Sequence, residues 1–354
     1  MDNIKPFLIS LLSQPGLSGY EEPVARLIAD NWKPLSDEIS ISPLGSLHAW
    51  RKAASNDKAP TLMIAAHMDA IGLMIKKVEH GLLFVTNIGG IDPRLLPGQM
   101  VTVHGRKELP GVVQFIPDRL MNGSASSKVP GFERLFIDTG LSEKELSTLV
   151  KPGDLASFAQ PPFELEGGYL AGHSLDNRAS VAAVTVCLQE LRNFNLKCNL
   201  VAAATTREET NAAGAATSSF GVRPDLAIVL DVTFAKGPGA NDYRCFPLGE
   251  GPSIGTGPNN HPALVKQFSN LAEEMDMPFS LEAMPVSSGT DGMAIQVSAS
   301  GIPLIVLGIA IRYMHTSVEM TSLKDIQRAG RLMARFIANL EPDFLSSLFE
   351  EGAA

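Results

Sequence analysis

The chain has 354 residues, of which 45% are hydrophobic and 19% are charged, a composition typical of a folded protein with an ample core. A formal net charge of −9, without any run rich in Lys or Arg, argues against a nucleic-acid-binding surface. No apolar run reaches the ~18 residues that a membrane span needs, so we expect no membrane partner. The acidic balance is typical of cytoplasmic proteins, and we expect that location.

Residues 4–13 and 20–32 show the apolar spacing of two amphipathic helices, and a turn-rich segment separates them. The next clear signal is the run 61–66, which is short and continuously apolar. Such a run is typical of a strand that is buried on both faces of a parallel sheet. His67 and Asp69 follow directly at its end.

The character of the sequence changes between residues 73 and 163, where Gly and Pro divide short β-like runs. The clearest of these runs are 82–86, 100–104 and 111–115. We therefore predict that residues 73–163 form a small β-rich domain. This domain would be inserted into a catalytic domain made of residues 1–72 and 164–354, and the segment 122–130 is its best candidate for a mobile loop.

After residue 172, strands alternate with helices, which predicts a mainly parallel sheet covered by helices on both faces. The predicted helices are 176–191, 211–220, 262–274 and 323–340. The predicted strands are 199–205, 226–230 and 303–309. The fold class is therefore α/β, with a mixed, mainly parallel sheet sandwiched by helices and a small β-rich insertion. In such sheets, ligands bind beyond the carboxyl ends of the strands.

Five potential metal ligands lie where this sheet would collect them, four of them at or just past the end of an apolar run. They are His67, Asp176, Glu209, Asp231 and His315. Two imidazoles and three carboxylates suit a pair of Zn²⁺ ions, with Co²⁺ or Mn²⁺ as alternatives. Each residue alone has an ordinary interpretation as a helix cap, a loop carboxylate or a structural histidine. Their joint occurrence, strand by strand, predicts a metal site that hydrolyses its substrate.

Two further residues complete the predicted site. Glu208 precedes Glu209, and adjacent carboxylates repel each other unless a cation holds at least one of them. We therefore expect Glu209 to bind metal and Glu208 to take a proton from an activated water. Asp69 lies on the same side of an extended segment as His67, so we expect its carboxylate to orient the imidazole ring.

Eight segments, in order along almost the whole chain, carry a likeness to one known family. They are Pro15-Gly-Leu-Ser-Gly-Tyr-Glu21, Ala66-His67-Met-Asp69-Ala-Ile-Gly72, Pro97-Gly-Gln99, Leu175-Asp176-Asn-Arg178, Glu208-Glu209, Asp231-Val-Thr233, Gly289-Thr-Asp291 and Arg312-Tyr-Met-His315-Thr-Ser-Val-Glu-Met320. On these segments the chain resembles the co-catalytic dinuclear metallo-aminopeptidases. That family includes the dodecameric tetrahedral aminopeptidases and the glutamyl aminopeptidases, and some of its members are labelled endoglucanases.

The resemblance implies an enzyme that removes N-terminal residues from short peptides with two divalent metal ions. It implies that Asp176 bridges the ions. One ion would be held further by Glu209 and His315, and the other by His67 and Asp231.

The resemblance also implies that Glu208 is the general base and that Asp69 orients a metal-bound imidazole. It assigns residues 73–163 to oligomerisation, with a large homo-oligomer, a dodecamer, as the expected form.

Three positions depart from the family pattern: Ala70 replaces a usual Glu, and Thr210-Asn211 replaces a usual Val-Gly. None of them removes a ligand or the base, but they bear on hydrogen bonding and backbone geometry near the site. Two other functions stay open. One is an N-acyl amino acid deacylase that uses the same dinuclear site, and the other is a non-catalytic subunit of a mixed oligomer. The segment 289–291 either lines the substrate pocket or forms a structural turn.

Overall fold

The computed structural model describes residues 4–54, 59–117, 131–240, 243–341 and 343–346. The predicted mobile loop, 122–130, lies outside the described residues. In chain order the helices are α1 (Ile4–Leu12), α2 (Glu22–Trp32), α3 (Glu143–Leu149), α4 (Leu175–Leu191), α5 (Glu208–Asn211), α6 (Ala213–Val222), α7 (Pro262–Glu274), α8 (Gly292–Gln296) and α9 (Leu323–Ala338).

The strands form one large sheet and one closed barrel. In chain order they are β1 (Glu38–Ile41), β2 (Leu47–Arg51), β3 (Thr61–His67), β4 (Gly72–Glu79), β5 (Leu82–Ile88), β6 (Met100–His104), β7 (Glu108–Phe115), β8 (Leu135–Asp138), β9 (Leu155–Phe158), β10 (Phe163–Leu165), β11 (Tyr169–Gly172), β12 (Asn199–Thr205), β13 (Leu226–Phe234), β14 (Ser253–Thr256), β15 (Ser280–Ala283), β16 (Leu304–Arg312) and β17 (Glu319–Ser322).

The large sheet has the strand order β1-β2-β12-β3-β13-β16-β17-β11-β10, and β14 pairs with β16 and carries β15 on its other side. Its centre, from β12 to β16, is parallel, whereas β2, β14 and β17 pair antiparallel with strands of this centre. Parallel strands direct their carboxyl ends to one edge of a sheet. The prediction of a mixed, mainly parallel sheet is confirmed.

Helices cover both faces of this sheet, as predicted. Along β3, Leu62 and Ile64 pack into the core beneath α1, α2, α4, α7 and α9. The alternate residues, Met63 and Ala65, pack on the opposite face with residues of α6 and α8. Side chains of a strand alternate between its two faces, so a strand covered on both sides must be apolar throughout. This requirement explains the uninterrupted apolar run before His67.

The six strands β4 to β9 close into a small barrel in the order β4-β5-β8-β7-β6-β9. Its interior is filled by alternate apolar residues of these strands, for example Leu73 and Ile75 on β4 and Val101 and Val103 on β6. The β-rich module predicted from the sequence is therefore a separately packed barrel inserted between β3 and β10.

Most predicted elements agree with the structure to within three residues, but one strand end is wrong. The apolar run 226–230 predicted that Asp231 follows the strand, whereas β13 continues to Phe234. The reason is tertiary, because β16 pairs with β13 in unbroken register from Ala227 to Phe234.

Among the described residues, no helix is long and apolar enough to cross a membrane.

Candidate metal centre

The structure brings all seven predicted site residues together at the carboxyl edge of the central strands. His67 is the last residue of β3 and pairs with Thr205, the last residue of β12. The chain leaving β12 carries Glu208 and Glu209 into α5. Asp231 lies on β13, in the register that places it beside the end of β3.

The Asp176 carboxylate lies at the centre of the cluster, between two imidazoles. Its Oδ1 atom is 3.2 Å from Nε2 of His67, and its Oδ2 atom is 3.2 Å from Nε2 of His315. Asp176 stands at the start of α4, where Asp176 and Asn177 depart from helical backbone angles and are joined by a cis peptide bond. One carboxylate therefore presents an oxygen to each of two donor groups.

Each imidazole is accompanied by further carboxylates. Nε2 of His67 lies 3.7 Å from Oδ1 of Asp231 and 3.9 Å from Oε2 of Glu208. Nε2 of His315 lies 3.4 Å from Oε2 of Glu209. The cluster thus has two halves that share Asp176. Three of its members, His67, Asp176 and Glu209, offer ligand atoms that all lie within 4.8 Å of one another.

The buried carboxylates strongly disfavour their charged forms. Burial raises the pKa of Glu208 to about 8 and that of Glu209 to about 10, and the negative charge of Asp176 acts in the same direction on both. Burial likewise raises the pKa of Asp231. Burying charge without compensation is costly. A bound cation would provide that compensation.

The two imidazoles, in contrast, favour their charged forms, because the pKa values of His67 and His315 are raised. Burial lowers the pKa of His67, but the nearby carboxylates of Asp176, Asp231 and Asp69 outweigh it and hold the pKa well above its usual range. Burial would raise the pKa of Asp176, but its contacts with His315 and His67 keep that pKa below its usual range. Without a cation, protons must therefore hold the cluster together.

One oxygen of the cluster marks a position that fits a metal ion. Oε1 of Glu209 is buried and has no hydrogen-bond partner among the described residues. An unpaired buried carboxylate oxygen needs a partner, and coordination to a cation is one way to provide it. The mixed imidazole and carboxylate donors also match the ligand chemistry of zinc and related ions.

Asp69 does more than the sequence suggested. Its fully buried carboxylate accepts hydrogen bonds from the backbone N–H groups of Glu208, at 3.0 Å, and Glu209, at 3.2 Å. Its Oδ1 atom also lies 3.4 Å from Nδ1 of His67. Asp69 therefore ties the end of β3 to the start of α5.

The sequence interpretation assigned no role to Glu319, although it quoted the segment that contains it. Its buried carboxylate accepts hydrogen bonds from the backbone N–H groups of Asp176, at 3.0 Å, and His315, at 2.8 Å. The signal available in the sequence was its position, because Glu319 follows His315 by only four residues. Glu319 thus ties the backbone of His315 to that of the shared residue Asp176.

Glu21 also supports the cluster from outside it. Its Oε1 atom accepts hydrogen bonds from the N–H groups of Gly19, at 2.6 Å, and Arg207, at 3.1 Å. Arg207 has a φ of +60°, a left-handed conformation that few residues other than glycine adopt. Glu21 thus stabilises the turn that delivers Glu208.

The three positions that depart from the family pattern make local hydrogen bonds. The backbone of Ala70 bonds to Gly16 and Ser18, and the Thr210 hydroxyl lies 3.1 Å from that of Ser18. Asn211 accepts a hydrogen bond from the N–H group of Ala213. None of the three lines the cleft above the cluster. Their effect is therefore confined to the loops behind it.

A cleft of about 420 Å³ opens onto the cluster. Its other walls include Gly289 and Thr290, so this part of the segment 289–291 does line the pocket. Asp291, in contrast, is buried and accepts a hydrogen bond from the Thr205 hydroxyl. Burial raises the pKa of Asp291 to about 7.

The chain is similar to known proteins over almost its whole length. Residues 45–332 match the model of the M42 glutamyl aminopeptidase family. A lysyl aminopeptidase of Pyrococcus furiosus is 32% identical over 339 residues, which cover 94% of this chain and 96% of the relative.

Solved structures agree with this relationship. An aminopeptidase from the archaeon Desulfurococcus kamchatkensis is 31% identical, with a TM-score of 0.90 and coverage of 98% of this chain and 97% of its own. The TET1 peptidase of Pyrococcus horikoshii is 27% identical, with a TM-score of 0.83 and coverage of 96% and 100%. The chain therefore belongs to the M42 glutamyl aminopeptidase family and is a hydrolase that acts on peptide bonds.

Proposed function

We propose that the protein is a metal-dependent aminopeptidase that removes N-terminal residues from short peptides, with Glu208 as its general base. The observation that carries this proposal is the position of Asp176, whose two oxygens each lie 3.2 Å from a different imidazole. A shared carboxylate with nitrogen donors on both sides is the arrangement that a pair of cations requires.

In this proposal Asp176 would contribute to holding both ions. His67 and Asp231 would complete the ligands of one ion, and Glu209 and His315 those of the other. The pairing follows the distances, because Asp231 lies beside His67 and Glu209 lies beside His315. The donor set suits Zn²⁺ first, and Co²⁺ or Mn²⁺ as alternatives.

The cations, when bound, polarise the scissile carbonyl and lower the pKa of a water molecule. Glu208 takes the proton of that water on its carboxylate and delivers it to the departing amine. Its carboxylate lines the cleft beside the cluster, with Oε2 3.9 Å from Nε2 of His67, so it lies close to where such a water would be activated. Asp69 holds the backbone N–H of Glu208 and thereby fixes where that carboxylate points.

Family membership favours peptide-bond hydrolysis over the two alternatives, an N-acyl amino acid deacylase and a non-catalytic subunit. The departures at Ala70, Thr210 and Asn211 leave every proposed ligand and the base in place. The relatives' names do not decide which N-terminal residue is removed. One is a lysyl aminopeptidase, and a Lactococcus lactis relative at 24% identity is a glutamyl aminopeptidase.

We expect Glu208→Gln to lower kcat for a peptide or aminoacyl-anilide substrate by ~10²-fold or more, because the amide cannot accept the proton. Metal content should stay unchanged, since Glu208 is not a proposed ligand. Steady-state kinetics and elemental analysis of the same samples measure both. Glu273→Gln, at an exposed position on α7, is the matched control and should behave as the wild type. Unchanged turnover in Glu208→Gln would remove Glu208 from this role.

Removal of metal should destabilise the protein more at pH 8 than at pH 5. In the metal-free fold the pKa of Glu208 is raised from 4.5 to about 8, so the folded state keeps a proton that the unfolded chain releases between these values. Stability of the metal-free protein therefore falls as pH rises through this window. The raised pKa values of Glu209 and His67 act with the same sign. Metal binding needs the deprotonated ligands, so its stabilisation grows with pH.

The measurement is the Tm of zinc-loaded and chelator-treated protein at several pH values. The difference between the two curves cancels the pH dependence that both forms share. We expect this difference to widen from pH 5 to pH 8. A difference that stayed constant or narrowed would contradict the proposed ligands.

We also propose that the inserted barrel, within residues 73–163, mediates self-association into a large homo-oligomer. The module exposes large apolar side chains that a neighbouring subunit would cover, namely Leu95, Met100 and Ile116, which are 47%, 55% and 44% exposed. The TET1 peptidase of Pyrococcus horikoshii can assemble into a tetrahedron or a large octahedral shell.

Multi-angle light scattering should therefore give a mass many times that of one chain, with twelve chains as the expected number. Met100→Glu, which places a charge on this surface, should shift the distribution towards smaller species. A wild-type monomer over a range of concentrations would contradict the proposal.

A further inference from the structure

A fifth carboxylate, in addition to those of the three proposed acidic ligands and of Glu208, lines the same cleft. Glu282 lies on β15, the strand that β14 joins to the large sheet. Its side chain is half-buried and faces the cleft beside Thr233. Glu282 could not be singled out from the sequence, because nothing around it distinguishes it from a solvated glutamate.

The Glu282 carboxylate is held in one orientation by two hydroxyl groups from two different strands. Oε1 accepts a hydrogen bond from Thr233 on β13 at 2.8 Å, and Oε2 accepts one from Ser253 on β14 at 2.6 Å. Both donors are neutral, so they fix the carboxylate without neutralising its charge. Burial raises the pKa of Glu282, and nearby Asp231 adds to that effect. A cation arriving from the cleft would therefore be strongly favoured.

Gly308 leaves room for the Glu282 carboxylate because it has no side chain. A Cβ atom at Gly308 would lie 2.3 Å from the Ser253 hydroxyl and 3.1 Å from Oε2 of Glu282. Any larger residue on this part of β16 would displace the pair. Gly308 also pairs with Asp231 on β13 and with Ser253 on β14. The glycine thus links the carboxylate to the strand that carries a proposed ligand.

Glu282 is placed to contact a side chain of the substrate and not the peptide bond that is cut. Thr233 is two residues beyond Asp231, so both side chains share a strand face, with a separation of roughly 6.6 Å along it. Thr233 binds the Glu282 carboxylate, which therefore lies about one such separation away from the proposed metal ligands. Phe234, which is 56% exposed, and Met314 line the same cleft and offer apolar surface. An aliphatic stem with a cationic end matches this combination.

We propose that Glu282 is a specificity-determining residue that selects peptides whose N-terminal residue carries a cationic side chain, lysine or arginine. This inference rests on the proposed aminopeptidase function and adds the substrate class to it. The methylene stem would pack on Phe234 and Met314, and the ammonium or guanidinium group would pair with the carboxylate. Thr233 and Ser253 act as positioning residues for that carboxylate.

The test compares zinc-loaded protein on two p-nitroanilides, those of lysine and norleucine, whose stems match but of which only lysine carries a charge. We expect kcat/KM for lysine to exceed that for norleucine by tenfold or more. Glu282→Gln, which keeps the size and polarity of the side chain, should reduce this ratio at least tenfold. Glu273→Gln is again the control and should keep the wild-type ratio. Because the readout is a ratio, a general loss of activity does not imitate the result.

Two outcomes would overturn the inference while leaving the aminopeptidase proposal intact. One is a wild-type ratio near or below one. The other is an equal loss on both substrates in Glu282→Gln, which would place Glu282 at the substrate's α-ammonium group instead.

If the wild type cleaves neither anilide, the proposed function fails and calorimetry decides the inference separately. Lysinamide should then bind zinc-loaded protein at least tenfold more tightly than norleucinamide, and Glu282→Gln should abolish the difference. Equal binding of the two amides to the wild type would refute the role of Glu282.

Discussion

The whole site depends on one constraint, which is the burial of several carboxylates around two imidazoles. The side chains of Asp176, Asp231 and Glu209, each at most 8% exposed, converge on His67 and His315. Like charges at such distances in a low-dielectric environment repel strongly. Among the described residues a buried cation, Arg178, lies nearby, but its guanidinium donates to the backbone carbonyls of Leu11, Gln14 and Met68. The arrangement therefore demands positive charge from outside the chain, either as protons or as metal ions.

The scaffold meets this constraint with carboxylates that bond to backbone groups instead of to metal. Asp69, Glu319 and Glu21 together accept hydrogen bonds from backbone N–H groups at or next to the cluster, those of Asp176, Arg207, Glu208, Glu209 and His315. Each joins segments that are far apart in the sequence, for instance 69 with 208. Preorganisation of this kind keeps ligands in place before a metal binds, which lowers the entropic cost of binding. The same principle recurs at Glu282, which two hydroxyls orient in the cleft.

Much of this site could be predicted from the sequence because it follows strand ends. A continuous apolar run marks β3, and the residue after the run is His67. The adjacent pair Glu208-Glu209 is chemically conspicuous, since repulsion needs an explanation. Glu319 and Glu282 were not predicted to matter. Their roles arise from contacts with residues 143 and 49 positions away, at Asp176 and Thr233, and a local pattern carries no information about such distances.

Most elements of the fold could also be predicted from the sequence, but the pairings between distant strands could not. Alternation of strands and helices gave the parallel sheet, and the change of pattern near residue 73 gave the inserted β module. The closure of that module into a barrel was not predicted, because closure depends on pairing between β4 and β9, more than 75 residues apart. The end of β13 was misplaced for the same reason, since its partner β16 sets its length.

The central claim is that the buried carboxylate and imidazole cluster is a site for two divalent cations. The most direct test is the number of metal ions per chain after dialysis from excess zinc, measured by elemental analysis on the wild type and on Asp176→Asn. The account predicts two ions per wild-type chain and the loss of at least one when the shared carboxylate is removed. A wild-type chain that retained no metal, or an Asp176→Asn variant with unchanged stoichiometry, would contradict it.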